Sequence, residues 1–187
     1  KNVEMCYSSH MFEHISNRSA EFLLNRVFEV MKDGGVIRIE VPDYDKILND
    51  YRENNGRPIA NYMAKLSNDE EHVGTLGAIS NILKKERGEY IQMPVSISLE
   101  IFESKLNELS NEKFCEWAIN LQTEEEKSSR GHVNYWNNKK LTEFLKNAGF
   151  KDIVEVRSGF SPNRFDLSVE RSHREFYSLI MEARRPN

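Results

Sequence analysis

The sequence predicts an α/β fold in which helices flank a mostly parallel β-sheet that ends in an antiparallel strand. Three observations lead to this class. Residues 3–9 and 36–41 are strand-like apolar segments, the residues between them carry a helical pattern, and helix and strand patterns alternate again near the C-terminus. A strand–helix–strand unit of this length returns in parallel through a right-handed crossover.

The composition bounds the class of protein. The 187 residues are 39% hydrophobic, which is enough for one core, so we expect a single domain over residues 1–187. The 26 basic and 30 acidic side chains leave a net charge of −4, which argues against nucleic acid or anionic lipid as a partner. No apolar run approaches a membrane span, and two cysteines make no disulfide framework. We therefore expect a cytoplasmic protein without a membrane span.

The first elements follow from periodicity. Residues 3–9 predict a buried strand that ends in a polar loop. A helix with apolar residues three and four apart begins at Ser16 or Asn17. Residues 32–35 (KDGG) are expected to supply its cationic last turn and its glycine stop. The apolar segment 36–41 follows as the second strand.

The middle of the chain is polar and mostly helical in pattern. Residues 44–130 are too many for a loop, so we expect a helical insertion or lid within the single domain. Residues 74–77 and 90–98 resist a helical interpretation, and residues 124–130 predict a solvated surface.

The C-terminal part has clearer signals. Asn137 is expected to cap a helix whose apolar face includes Leu141 and Leu145, and Gly149 is expected to end it. Strands are predicted at residues 153–156 and 176–183, as an antiparallel pair at one edge of the sheet.

The string His10-Met11-Phe12-Glu13-His14 has the spacing of a zinc hydrolase site, in which two histidines bind Zn²⁺ and the glutamate acts on bound water. That chemistry requires both histidines on one helix. Here His10 directly follows a strand, and the helical pattern begins only after Ser16. A zinc hydrolase using His10, Glu13 and His14 therefore stays a remote alternative.

The strand ends offer a better account of the same residues. Ligands of open parallel sheets bind beyond the carboxyl ends of the strands. Ser8, Ser9 and His10 occupy one such end, and Asp43 and Tyr44 occupy the next. The alternative is that the serines satisfy loop backbone and that His14 is a packed, hydrogen-bonded histidine.

Ordered segments at both ends of the chain resemble one family. Residues 7–15 (YSSHMFEHI), a helix, and residues 30–43 (VMKDGGVIRIEVPD) resemble strand four, helix D and strand five of class I S-adenosylmethionine-dependent methyltransferases. Residues 132–136 (HVNYW), with the helix and Ala-Gly-Phe turn after them, resemble the approach to strand six. Residues 177–183 resemble the final antiparallel strand. The resemblance implies an incomplete Rossmann-like sheet.

The resemblance also implies a function, methyl transfer from S-adenosylmethionine to a small-molecule, sugar or lipid-linked acceptor. Ser8, Ser9 and His10 would lie near the methionine end of the cofactor, and His10 or His14 would take a proton from the acceptor. The expected acceptor pocket consists of Asp43, Tyr44, Tyr135 and Trp136. For the two aromatic residues of the 132–136 segment, packing in the core is the favoured alternative.

The sequence departs from the family in one respect. The strand with the Gly-x-Gly-x-Gly turn that cradles the cofactor is absent from residues 1–187, and so are the first three strands of the sheet. Because Lys1 opens directly into a strand, we expect the acceptor-side part of a longer protein, inactive alone. An exposed sheet edge would favour a homo-oligomer. A non-catalytic methyltransferase-like interaction module is the alternative.

Overall fold

A computed structural model describes residues 2–54, 99–121, 132–170 and 177–187. The segments 74–77, 90–98 and 124–130, for which the sequence makes predictions, lie outside these ranges. The chain divides into two compact units, one formed by Lys1–Asp43 with Trp136–Asn187 and the other by Tyr44–Tyr135. That residues 44–130 form an insertion within a single domain stays a prediction.

The elements of the described residues follow one another along the chain. They are β1 (Val3–Ser9), a 3₁₀ helix (Phe12–His14), α1 (Asn17–Val30), β2 (Met31–Pro42), α2 (Tyr44–Asn54), α3 (Leu99–Glu108), α4 (Asn111–Asn120), α5 (Asn138–Asn147), β3 (Lys151–Glu155), a second 3₁₀ helix (Leu167–Val169) and β4 (Ser178–Arg184).

The sheet has the spatial order β1-β2-β4-β3. β1 runs parallel to β2, with Ser9 opposite Glu40, and β4 runs antiparallel to both β2 and β3. The fold is therefore α/β with a mixed sheet flanked by helices. The predicted parallel crossover and the antiparallel C-terminal pair are both confirmed.

The two faces of the sheet differ in chemistry because side chains alternate along a strand. One face builds the core, in which α1 and α5 cover the strands. Its fully buried members include Leu24, Ile39, Val41, Trp136, Leu141, Leu145 and Ala183. The opposite face of the two central strands carries charge, with Arg38, Glu40 and Glu182 all buried. The two central strands, β2 and β4, are thus covered on both faces.

The helix starts match the sequence predictions. The Ser16 hydroxyl accepts the backbone N–H of Ser19 at the start of α1, and the Asn137 side chain accepts that of Lys140 at the start of α5. Gly149 follows α5 with φ 99°, the left-handed stop expected of a glycine.

The predicted end of α1 is wrong. The helix stops at Val30 and the chain turns straight into β2, so residues 32–35 belong to the strand and supply no last turn. The Arg185 guanidinium takes the place of the expected glycine stop, because it donates to the carbonyls of Phe28 at 2.7 Å and Met31 at 2.6 Å. Gly34, with φ 76°, instead serves an irregular stretch of the β1–β2 ladder.

The unit Tyr44–Tyr135 contains α2, α3 and α4. The Asn111 side chain at the start of α4 donates to Asp45 of α2 at 2.9 Å, and Arg52 of α2 donates to the Leu106 carbonyl of α3 at 3.0 Å. None of the helices in the described ranges is long and apolar enough to cross a bilayer.

In the unit formed by Lys1–Asp43 and Trp136–Asn187, Arg38 is the buried cation on the charged face of the sheet. Its guanidinium donates to Glu182 at 2.5 Å and also pairs with Glu170, and none of the Arg38 or Glu182 side chain is exposed. It further donates to the Arg157 and Phe160 carbonyls at 3.3 and 3.1 Å. The cation thereby attaches the loop after β3 to the sheet.

We expect Arg38→Met to destabilise the protein by about 3–5 kcal/mol, because it leaves the Glu182 carboxylate buried without its cation. Urea unfolding followed by circular dichroism measures the loss. Arg26→Met is the matched control, since Arg26 pairs with Glu29 in solvent and exposed pairs contribute about 0–1 kcal/mol. Equal losses in the two variants would contradict a central role for Arg38.

Candidate functional site

The candidate site lies where the parallel strands β1 and β2 end. The ladder continues past β1, because the His10 N–H donates to the Glu40 carbonyl at 2.9 Å. On the other side of β2, Pro42 lies opposite Ser178, the first residue of the antiparallel strand β4. The carboxyl ends of the parallel strands and the start of β4 therefore share one edge of the sheet.

Glu40 is the centre of this site, and it was not among the residues predicted from the sequence. Its carboxylate is buried and accepts hydrogen bonds from the Tyr7 and Ser9 hydroxyls, both at 2.9 Å. The His10 Nε2 atom lies 3.6 Å from the other carboxylate oxygen. The available signal was an acidic residue which, like Arg38, interrupts the apolar segment 36–41 and demands polar partners if it is buried.

His10 lies among polar side chains from β2, β4 and the first 3₁₀ helix. Its Nε2 is 2.9 Å from the Ser178 hydroxyl, and its Nδ1 is 3.3 Å from the Glu13 carboxylate. The edge of the ring meets the Tyr177 ring, with centroids 5.5 Å apart. Only 7% of the His10 side chain is exposed, so the ring is held in place from several sides.

The backbone at His10 is in the left-handed region, with φ 48°. This conformation is uncommon outside glycine, and such residues concentrate at functional sites. It also separates His10 from the 3₁₀ helix that holds Glu13 and His14. The two histidines therefore do not lie on one helix as the zinc pattern requires, and the His14 Nε2 atom is 3.9 Å from Glu13.

The environment of Glu40 lowers its pKa. Burial on its own raises the pKa of this carboxyl, but the nearby His10 ring in its charged form and the hydrogen bonds from the Ser9 and Tyr7 hydroxyls outweigh burial and bring the pKa from 4.5 to about 2. Glu40 is thus a fixed negative charge at neutral pH.

The two serines predicted to bind the cofactor point to opposite faces of the sheet. Ser9 faces Glu40, whereas Ser8 lies on the apolar face of β1. The Ser8 hydroxyl is buried, and among the described residues it has no hydrogen-bond partner.

The residues predicted to form the acceptor pocket fall in both units. In the first unit, the Asp43 N–H donates to the Tyr177 carbonyl at 2.8 Å, and Trp136 is fully buried against Phe12 and Phe144, as expected of the core-packing alternative. In the second unit, the Tyr44 hydroxyl is 2.7 Å from His132 Nδ1.

Tyr135, also in the second unit, is buried, and its hydroxyl donates to Glu112 at 3.3 Å. Burial, followed by the charges of Glu112 and Glu116, raises the pKa of this phenol. Tyr135 is therefore a neutral donor.

The described residues do not fit a complete S-adenosylmethionine site. The Ser9 hydroxyl is bound to Glu40, and the His10 ring is placed between Glu13 and Ser178. The sequence contains no glycine-rich turn to approach the cofactor's ribose and amino acid. Near this edge, the Ser8 hydroxyl and the Glu13 Oε2 atom are buried without a hydrogen-bond partner among the described residues, so a ligand could satisfy either.

We expect the stability of the protein to fall as the pH drops from about 4.5 towards 2, with Glu40 as a principal cause. Its folded-state pKa lies below its ordinary value, so ionised Glu40 stabilises the fold above about pH 4.5, by on the order of 3 kcal/mol. Urea unfolding across this pH range should show that the difference in unfolding free energy between the natural chain and Glu40→Gln becomes smaller as the pH falls.

Glu4→Gln is the control for this series, because Glu4 pairs with Lys32 in solvent, where water screens the interaction. The difference in unfolding free energy between the natural chain and Glu4→Gln should stay small at every pH. If the difference in unfolding free energy between the natural chain and Glu40→Gln does not change with pH, ionised Glu40 does not stabilise the fold.

Comparisons with known proteins leave the family open. No protein-family model matches the chain, and no curated protein is significantly similar to it. The residues of the site and the resemblance of the end segments are therefore the observations that bear on function.

Proposed function

We propose that this chain carries the acceptor side of an S-adenosylmethionine-dependent methyltransferase. The observation that supports this most is the polar cluster of Ser9, His10 and Glu40 at the carboxyl ends of a parallel strand pair. Open α/β sheets bind ligands at this edge. The antiparallel final strand β4 agrees with the resemblance of residues 177–183 to the family's last strand.

The chain's own contribution to such a reaction is to position an acceptor and take its proton. S-adenosylmethionine, when bound, supplies a methyl group on a sulfonium. His10 is the candidate base, because its Nε2 already lies at hydrogen-bond distance from a hydroxyl, that of Ser178. His14, whose side chain is 37% exposed, is the second candidate.

A non-catalytic interaction module is the second candidate function. The enclosure of the His10 ring by Glu13, Glu40 and Ser178 favours it, because these contacts alone give the histidine a structural role. β1 also has a strand partner on one side only within the described sheet. Such an edge can pair with another strand.

Calorimetric titration of the full-length gene product with S-adenosylmethionine tests the methyltransferase proposal. We expect saturable binding by the full-length product and none by the isolated 187-residue chain, since the latter lacks the glycine turn. Absence of binding by the full-length product would overturn the proposal and leave the interaction module.

Transfer of a radiolabelled methyl group to acceptor extracts then separates the two histidines. His10→Asn should lower the transfer rate by roughly 10²–10⁴-fold if His10 is the base. His14→Asn is the matched variant and should leave the rate nearly unchanged. The reverse result would assign the proton transfer to His14.

A further inference from the structure

Ser178, His10 and Glu13 lie in the order nucleophile, base and orienting carboxylate. The Ser178 hydroxyl is 2.9 Å from His10 Nε2, and His10 Nδ1 is 3.3 Å from Glu13 Oε1. Serine acyltransferases and hydrolases are identified by this geometry and not by sequence order, and the contacts are looser in free enzymes. We propose that these residues form a serine nucleophile site that accepts acyl groups from carboxylic esters.

The Glu13 carboxylate is placed to select the reactive tautomer of His10. A carboxylate beside Nδ1 favours the proton on that nitrogen, which leaves the Nε2 lone pair to accept from the Ser178 hydroxyl. Glu13 is only 1% exposed, and its Oε2 atom is buried without a hydrogen-bond partner among the described residues. Glu13 thus faces His10 Nδ1 through Oε1, with His14 further away at 3.9 Å.

Glu40 adds a second charge beside the base. Its Oε1 atom is 3.6 Å from His10 Nε2, while Tyr7 and Ser9 hold its other oxygen. When Ser178 gives its proton to Nε2, the ring becomes a cation between the carboxylates of Glu13 and Glu40. Both charges favour the imidazolium form and therefore the attack that creates it.

Ser178 also lies where a substrate can be bound. It is the first residue of β4, opposite Pro42, at the edge to which the parallel strands point their carboxyl ends. Its side chain is partly exposed, whereas the base behind it is nearly enclosed. A substrate can therefore reach the Ser178 hydroxyl while His10 stays within hydrogen-bond reach of it, as nucleophilic catalysis requires.

The reaction balances without a further cofactor. The Ser178 oxygen attacks the ester carbonyl carbon as its proton passes to His10 Nε2. The alcohol then leaves with that proton, and the acyl group stays on Ser178. Water, which gives a proton to His10, attacks the acyl carbon, releases the carboxylic acid and restores the serine.

Labelling of the intact chain with a fluorophosphonate probe tests the proposal. We expect covalent modification of Ser178, located by mass spectrometry, and hydrolysis of p-nitrophenyl acetate by the same residue. Ser178→Ala should abolish both, and His10→Gln should slow both by roughly 10²–10⁴-fold. Ser161→Ala is the matched control, because the Ser161 side chain is partly exposed like that of Ser178, but its hydroxyl donates to Glu182 and not to a histidine.

Glu13→Gln separates an orienting role from a merely structural one. If Glu13 favours the imidazolium, its loss should shift the acid limb of the pH–rate profile to lower pH as well as slow the labelling. Thermal unfolding of each variant confirms that it is folded. An unmodified Ser178 in the natural chain would overturn the proposal. Labelling at the same rate in His10→Gln would also overturn it, because the serine would then not be activated.

Discussion

The central strand β2 is covered on both faces, yet it carries a cation and an anion, Arg38 and Glu40. Burying a charge is costly unless other groups bind it. Arg38 forms ion pairs with Glu182 and Glu170. Glu40 is surrounded by Tyr7, Ser9 and His10. These partners come from both neighbouring strands and from the loop after β3. A slip of one residue in either ladder would turn the charges into the apolar core, so the register is strongly specified.

The need of the buried Glu40 carboxylate for polar partners also determines the geometry of the candidate site. Because Glu40 binds the Tyr7 and Ser9 hydroxyls, it holds the end of β1 against β2. His10 follows immediately, and its backbone N–H continues the ladder to the Glu40 carbonyl. His10 itself has a left-handed backbone conformation, so the chain reverses there and enters the first 3₁₀ helix, which places Glu13 beside the His10 ring. Stability and site geometry thus depend on one buried carboxylate.

Local patterns were sufficient to predict most of the fold of the described residues, because apolar periodicity, the Ser16 and Asn137 caps and Gly149 act over a few residues. The long-range features were missed for the same reason. Ser178 is 168 residues from His10, and Arg185 ends α1 from 157 residues away. His10 and Ser9 were predicted as site residues from their place after a strand, whereas the role of Glu40 follows only from knowing which strands are neighbours.

The roles open to His10 differ in what its Nε2 atom meets. In acyl transfer the partner is the Ser178 hydroxyl at its observed position, 2.9 Å away. In methyl transfer an acceptor hydroxyl or amine has to displace that serine, so the His10–Ser178 hydrogen bond must break. In an interaction module the bond is permanent and connects the end of β1 to the start of β4. A left-handed histidine costs of order 1–3 kcal/mol, and Ser178, Glu13 and Glu40 together offset that cost. Removal of the Ser178 hydroxyl therefore separates the roles: it ends acyl transfer, relieves competition with a methyl acceptor, and loosens a purely structural connection.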